Sequence, residues 1–462
     1  MKSLATVILA AGKGTRMKSA LPKVLHPLCG QPLIHYPVRL ARQLGSTATV
    51  LVVGHGAEAV EATLAAKGVT FALQAEQLGT GHALLSARPA LADFSGTILL
   101  LCGDVPLLRA ATIAQLLDYH HRQGASVTVL TATLENPHGY GRVVRDGDEV
   151  VAIVEEKDAT PEIRTLREIN TGIYCFEAPF VFTALSQVGC NNAQGEYYLT
   201  DVLALARSAG KKVCALAAAD GEEAMGINDR VQLAEADALL RQHINRQHQL
   251  AGVTIVDPVA TYIEPGVEIG ADTIIHPGAH LRGTTKVAGN CIVEPGAMIT
   301  DSSLAEGVHI KAGSIVEGSE IGGGCAIGPM AHLRAGTILL GENKIGNFVE
   351  TKKARFGRKS QASHLTYIGD AEVGERVNFG CGTITCNYDG VNKFQTTIGD
   401  DVFIGSDTQF IAPVTIGSGS LIAAGSTITK DVPADALALS RTEQKVIEGW
   451  AAKKRKKQQK ND

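Results

Sequence analysis

Ile263, Ile269, Ile275, Leu281, Val287, Val293 and Ile299 stand six residues apart in the second half of the chain. The spacing recurs along Ile315, Ile321, Ile327, Leu333, Leu339 and Ile345, and again along Ile398, Ile404, Phe410, Ile416, Ile422 and Ile428. An α-helix repeats its apolar face every ~3.6 residues and a strand every second residue, so neither sustains a period of six. A coil of three short parallel strands does, because each side of the coil turns one residue inward. Glycine follows many of these residues, as in IGAD, IGGG, IGPM, IGNF, IGDD and IGSD, and is expected to allow the turn between faces. The register slips over 300–314. It breaks over 350–397, where VETKKARFGRKSQASHLTYIGD and ITCNYDGVNKFQT are expected to loop out of the coil. Loops on a rigid scaffold are where function concentrates.

Residues 1 to about 228 follow another pattern. LATVILA (4–10), ATVLVV (48–53), TILLLC (97–102) and SVTVLTA (126–132) are continuous apolar runs that predict buried strands. Helical patterns such as PLIHYPVRLARQLG and GTGHALLSARPALA alternate with them, which predicts an α/β unit with a mostly parallel sheet covered on both faces. Such sheets bind ligands beyond the carboxyl ends of their strands. Between the two regimes, 229–249 reads as a linker helix with Leu233, Leu240 and Ile244 along one face and Gly252 beyond its end. The expected domains are therefore 1–228 and 250–462, joined by that helix.

Composition narrows the function. A formal charge of −4 argues against nucleic acid as the main partner. The 50 glycines and 5% aromatic content suit a solenoid of tight turns. Nine scattered cysteines without a CxxC pair predict free thiols in a reducing cytoplasm, and no His/Asp/Cys spacing argues for zinc. The apolar run near the start is too short for a signal peptide, and none approaches a membrane span. The basic tail AAKKRKKQQKND is expected to be a disordered, solvated end.

LAAGKGTRM (9–17) is the sharpest local motif. A buried strand runs into a glycine-bearing loop with Lys13 and Arg16, and Lys23 follows in LPKVLHPLCGQPLI. Backbone N–H groups there could cradle phosphates that the cations neutralise. It is neither GxxxxGK[ST] nor the three-glycine dinucleotide fingerprint, and GxG alone could be a tight turn. Asp104, in LLLCGDVPLL, directly follows another buried strand, where a carboxylate either caps a helix or holds Mg²⁺ near phosphates. In the interruptions of the coil, HLTYIGD carries His364 and Tyr367, and NYDG carries Asn387 and Tyr388. Lys353 and Arg358 read as a solvated face, and His276, His280, His309 and His332 as surface residues.

GKGTRM followed by PK resembles the signature of sugar-nucleotide pyrophosphorylases. Over about residues 1–450 the chain resembles the bifunctional bacterial N-acetylglucosamine-1-phosphate uridyltransferases / glucosamine-1-phosphate acetyltransferases. The resemblance implies a Rossmann-like nucleotidyltransferase domain, a left-handed parallel β-helix and a homotrimer. It implies acetyl transfer from acetyl-CoA to glucosamine 1-phosphate, then uridyl transfer from UTP to N-acetylglucosamine 1-phosphate. The alternative is a single-activity nucleotidyltransferase whose β-helix is structural or regulatory.

The resemblance also implies site residues. Leu9, Ala10, Ala11, Gly12 and Lys23 would line the uridine nucleotide, with Gln74, Gly79 and Thr80 at the base. Cys102, Gly103 and Asp104 would border the substrate. Where the family has Tyr, this chain has Cys102, which is expected to act through its backbone. Gly141, Glu155 and Asn170 would hold N-acetylglucosamine, Asp104 and Asn228 would bind Mg²⁺, and Arg16 and Lys23 would stabilise the leaving pyrophosphate. In the solenoid His364 would be the general base, Arg334 and Lys352 would take the sugar phosphate, and Tyr367 and Asn378 the sugar. Cys381 (Ala in the family), Asn387, Tyr388, Ser406, Ala424 and Arg441 would contact acetyl-CoA.

Overall fold

Leu4, Ile8, Leu51, Val53, Leu99 and Leu101 are buried on one face of a central sheet, and Ala5, Val7, Val50, Val52, Ile98 and Leu100 on the other. Both faces are apolar, which is why the strands read as unbroken hydrophobic runs. The computed structural model describes residues 3–65 and 67–459. Along the sheet the strands run Val213–Ala217, Val127–Thr133, Glu168–Glu177, Thr97–Cys102, Leu4–Leu9, Ala48–Val53 and Thr70–Leu73. Glu168–Glu177 is antiparallel to both neighbours, and the other pairings in this row are parallel. The hairpin Arg142–Asp146/Glu149–Val154 extends from Glu168–Glu177. Helices His35–Gln43 and Thr80–Ser86 lie in the expected segments. Helix Arg230–Leu250 follows, and the chain divides into two compact units inside it, between Arg241 and Gln242.

The second unit is a parallel-stranded coil. Tyr262–Ile263, Glu268–Ile269 and Ile274–Ile275 each pair in parallel with a counterpart one coil on. The slip over 300–314 has a simple cause. Leu281 pairs with Ile299, a step of 18, but Ile299 pairs with Val316 and Val316 with Leu333, steps of 17. One side of those coils is a residue short. The inward residue is thus Val316, fully buried, and not Ile315, which is half-buried. Val316→Ser is expected to cost about 2 kcal/mol by burying a hydroxyl and leaving a void, against under about 1 for Ile315→Ser, read from denaturant midpoints.

The first expected loop is also corrected. Glu350–Phe356, Gln361–His364 and Tyr367–Val373 are strands within the stack. Glu350–Phe356 pairs with both His332–Leu333 and Ile338–Leu339, so one seven-residue strand serves two sides of the coil. Thr351, Phe356, Ala362, Ile368 and Val373 are its buried inward residues and those of its successors. The segment after Thr385 does leave the coil: Thr385 pairs with Phe410, a step of 25.

The glycines have a different reason from turning. Gly270, Gly322, Gly399 and Gly405 have no left-handed φ. A Cβ on Gly270 would stand 2.5 Å from the Gly289 nitrogen in the next coil. Close stacking of coils, not the bend, demands these glycines, and only Gly328 of the quoted set has φ of +93°. The tail is corrected as well: Trp450–Gln458 is a helix with no buried residue. Residues 460–462 of that tail, like Met1 and Lys2, lie outside the described residues.

Candidate functional site

In the first unit the phosphate loop begins where Leu4–Leu9 ends. The Gly103 N–H donates to the Leu9 carbonyl (2.9 Å), and the His55 N–H to that of Ala11 (3.3 Å), which pins the loop to its neighbouring strand ends. Ala10 and Ala11 are buried, while the space beside Gly12 is open. Gly14 adopts φ of +58°, and its missing Cβ makes room for the Lys23 side chain.

Four expected residues converge there. The Lys23 ammonium is paired with the Asp104 carboxylate. It also donates to Asn228 Oδ1 (3.3 Å), which accepts from Arg16 Nη2 at 2.9 Å. Asn228 is held by its own N–H, which donates to Gln232 Oε1 (2.8 Å), a support the sequence reading missed. The Cys102 thiol lies 3.6 Å from the Gly172 carbonyl, and burial, then the Asp104 carboxylate, pushes it up to about 12.

A second group lies at the hairpin. The Asn170 N–H donates to the Gly141 carbonyl (2.9 Å), and a Cβ on Gly141 would stand 3.4 Å from both Glu155 carboxylate oxygens. Burial, then Asp158, Asp201 and Glu196, raises the Glu155 carboxyl above its usual range. The Tyr174 hydroxyl donates to Asn170 Oδ1 (2.8 Å) and fixes that amide. Gln74 is buried beside Gly79, and the Thr80 hydroxyl accepts from the Leu199 N–H (3.2 Å).

In the coil, His364 stands one rung above Asn347 and is exposed. Its Nδ1 lies 3.1 Å from Asn347 Oδ1. An amide oxygen only accepts, so Nδ1 carries the proton and Nε2 keeps its lone pair for a substrate. In strand Glu350–Phe356, the Lys393 ammonium, and then Arg334, holds the Lys352 ammonium below the usual lysine range. Three cations are therefore clustered, although Arg334 is also paired with Glu350 (2.8 Å). Lys393 was missed because it lies in the excursion, where no coil register marks its position.

A Cβ on Gly369 would collide with the Tyr367 hydroxyl and stand 2.9 Å from the Asn387 amide nitrogen, so this glycine lets both side chains fold over it. Asn387 donates to the Asp370 carboxylate. The Val391 and Asn392 N–H groups donate to Asp389 Oδ1 (2.8 and 2.6 Å), which closes the excursion behind the exposed Tyr388. Asn378 Oδ1 accepts from Gln361 Nε2 (3.0 Å), one coil below. Cys381, Ser406 and Ala424 follow one another up one edge, two residues beyond the paired Phe379, Ile404 and Ile422. Arg441 Nη1 donates to the Ala424 carbonyl at the end of that row (2.9 Å).

The chain is similar to known proteins over nearly its full length. The model of the MobA-like NTP transferase domain matches residues 6–172. That of the bacterial transferase hexapeptide (six repeats) matches 395–430, and that of the GMPPB C-terminal domain 259–361. The bifunctional protein GlmU of Syntrophotalea carbinolica is 64% identical over 447 residues, covering 97% of this chain and 96% of that one. Those of Pelobacter propionicus and Geobacter sulfurreducens are 57% and 55% identical, covering 99% and 98% of this chain and 100% of their own. With such identity over nearly the full length of each relative, the chain belongs to the bifunctional GlmU family.

Proposed function

We propose that the chain makes UDP-N-acetylglucosamine at two separate sites. Acetyl-CoA acetylates glucosamine 1-phosphate on the coil, and UTP then uridylates the product at the α/β unit. The observation that carries this reading is a polar constellation in each unit: Arg16–Lys23–Asp104–Asn228 in the first, and in the second the cations Lys352, Lys393 and Arg334 together with a His364 held by Asn347.

On the coil, His364 Nε2 takes a proton from the sugar amine as its nitrogen attacks the thioester carbonyl. The C–N bond forms, the C–S bond breaks and coenzyme A leaves as the thiol. Arg334, Lys352 and Lys393 hold the sugar phosphate, with Tyr367 and Asn378 on the sugar. Asn387, Tyr388, Cys381, Ser406, Ala424 and Arg441 border the cosubstrate. Lys393→Ala is expected to raise KM for glucosamine 1-phosphate about tenfold with a smaller change in kcat, measured by thiol release.

At the α/β unit, an oxygen of N-acetylglucosamine 1-phosphate attacks the α-phosphorus of UTP and pyrophosphate departs. No covalent protein intermediate is required, so alignment and charge do most of the catalysis. Leu9 to Gly12 and Gly103 offer backbone to the nucleotide, Gln74, Gly79 and Thr80 meet the base, and Gly141, Glu155 and Asn170 hold the sugar. Arg16 and Lys23 balance charge on the leaving group. Asp104 and Asn228 turn their oxygens toward one cationic nitrogen, that of Lys23. This hard-oxygen donor pair fits Mg²⁺, which takes few protein ligands beside phosphates and water. When bound there, Mg²⁺ would neutralise triphosphate charge.

We place the enzyme in the cytoplasm, as a homotrimer. Among the described residues no helix is long and apolar enough to cross a membrane. The trimer is supported by an exposed apolar row on the coil, Met330, Phe348 and Leu365, 54–59% exposed and all with left-handed φ. Water-facing side chains of this kind suit a covered face. One assay tests the two-site reading: thiol release and pyrophosphate release, followed separately with each sugar phosphate. Glucosamine 1-phosphate should drive the first and N-acetylglucosamine 1-phosphate the second. Pyrophosphate release with no thiol release under any condition would favour a single activity on a structural coil.

A further inference from the structure

Gln74 is 3% exposed and follows strand Thr70–Leu73. Its Nε2 donates to the Gly79 carbonyl at 3.2 Å and lies 3.1 Å from His82 Nδ1. A carbonyl oxygen only accepts, so the amide nitrogen, not its oxygen, must face Gly79. That nitrogen has one hydrogen left, and the His82 Nδ1 lone pair takes it, which puts the imidazole proton on Nε2. Both amide hydrogens are then used inside the protein. Oε1 is the open group, and it can only accept.

An open acceptor selects a ring N–H. Uracil carries one at N3, whereas cytosine presents a lone pair there. Turning the amide over to suit cytosine would set Oε1 against the Gly79 carbonyl and would require His82 to move its ring proton from Nε2 to Nδ1. The partners do not yield easily. A Cβ on Gly79 would stand 2.7 Å from the Tyr197 carbonyl, so that backbone is closely packed. His82 sits on helix Thr80–Ser86 with its ring centroid 6.3 Å from that of Tyr197.

We propose that His82 is a positioning residue that locks the Gln74 amide with its oxygen toward the base, so that the uridyl site selects a pyrimidine with an N3–H over cytosine. The proposal rests on the reading of Gln74 as the base contact. It is tested on the full-length chain by pyrophosphate release with UTP and with CTP. His82→Phe keeps a ring but removes the acceptor, and His82→Asn places an amide oxygen where Nδ1 stood. The kcat/KM preference for UTP over CTP is expected to fall about tenfold in His82→Phe, mainly through KM for UTP, and to recover largely in His82→Asn. Equal loss of preference in both variants would overturn the acceptor argument. An unchanged preference in His82→Phe, with a lowered one in Gln74→Ala, would overturn the lock and leave the Gln74 contact standing. An unchanged preference in Gln74→Ala overturns both.

Discussion

Asp104→Ala should lower uridyl transfer about a thousandfold while acetyl transfer continues at its normal rate. The carboxylate follows the buried strand Thr97–Cys102, and the Asp104 carbonyl accepts from the Ile227 N–H (2.9 Å), which brings Asn228 beside it. Removing the carboxylate leaves the Lys23 ammonium, among the described residues, with Asn228 Oδ1 as its remaining oxygen partner. It also deletes the carboxylate offered to a divalent ion. Asp104→Asn keeps the shape without the charge and should fall nearly as far, because charge rather than bulk is at issue. Pyrophosphate release and thiol release, measured on one preparation, give the two rates. Equal loss of both in Asp104→Ala would sink the two-site reading.

His364→Ala should do the reverse, lowering acetyl transfer by about 10²–10⁴ with uridyl transfer unchanged. The amine must shed a proton as it attacks, and Nε2 of His364 is the open lone pair that the Asn347 contact leaves available. Asn347→Ala removes only the orienting bond, so a smaller loss in kcat than for His364→Ala is expected. Retained acetylation in His364→Ala would refute the assignment of the base. A matching loss in both activities would point to the coil's fold and not to its chemistry.

The hexapeptide architecture was legible because its inward residues are mostly branched aliphatics. It failed where that condition failed. At Ile315–Val316 two aliphatics stand side by side, and only pairing with Ile299 tells which one is inside. Over 350–373 the inward Thr351 and Ala362 are not large aliphatics, and the sides are uneven, so a continuous coil read as a loop. The strands of the α/β unit were legible from their apolar runs, but the antiparallel course of Glu168–Glu177 was not, since a buried strand looks alike in either direction. Lys23 meets Asp104 across 81 positions and Asn228 across 205. No local pattern predicts such encounters, and the family resemblance had to supply them. Gln232, Asn347, Gly369 and Lys393 escaped because each acts on a neighbour that only the fold supplies.

The stacked coil also works as a ruler. Successive rungs are separated by the inter-strand distance, about 4.8 Å. Asn347 lies one graduation below His364, Glu350 below Tyr367, and Gln361 below Asn378. Side chains one interval apart can join head to head, as His364 does with Asn347 and Asn378 with Gln361. Cys381, Ser406 and Ala424 mark three consecutive graduations along one edge, a span of about 10 Å. A long cosubstrate laid against that edge is measured in whole turns. Deleting one turn would shorten the gauge while leaving the stack itself intact.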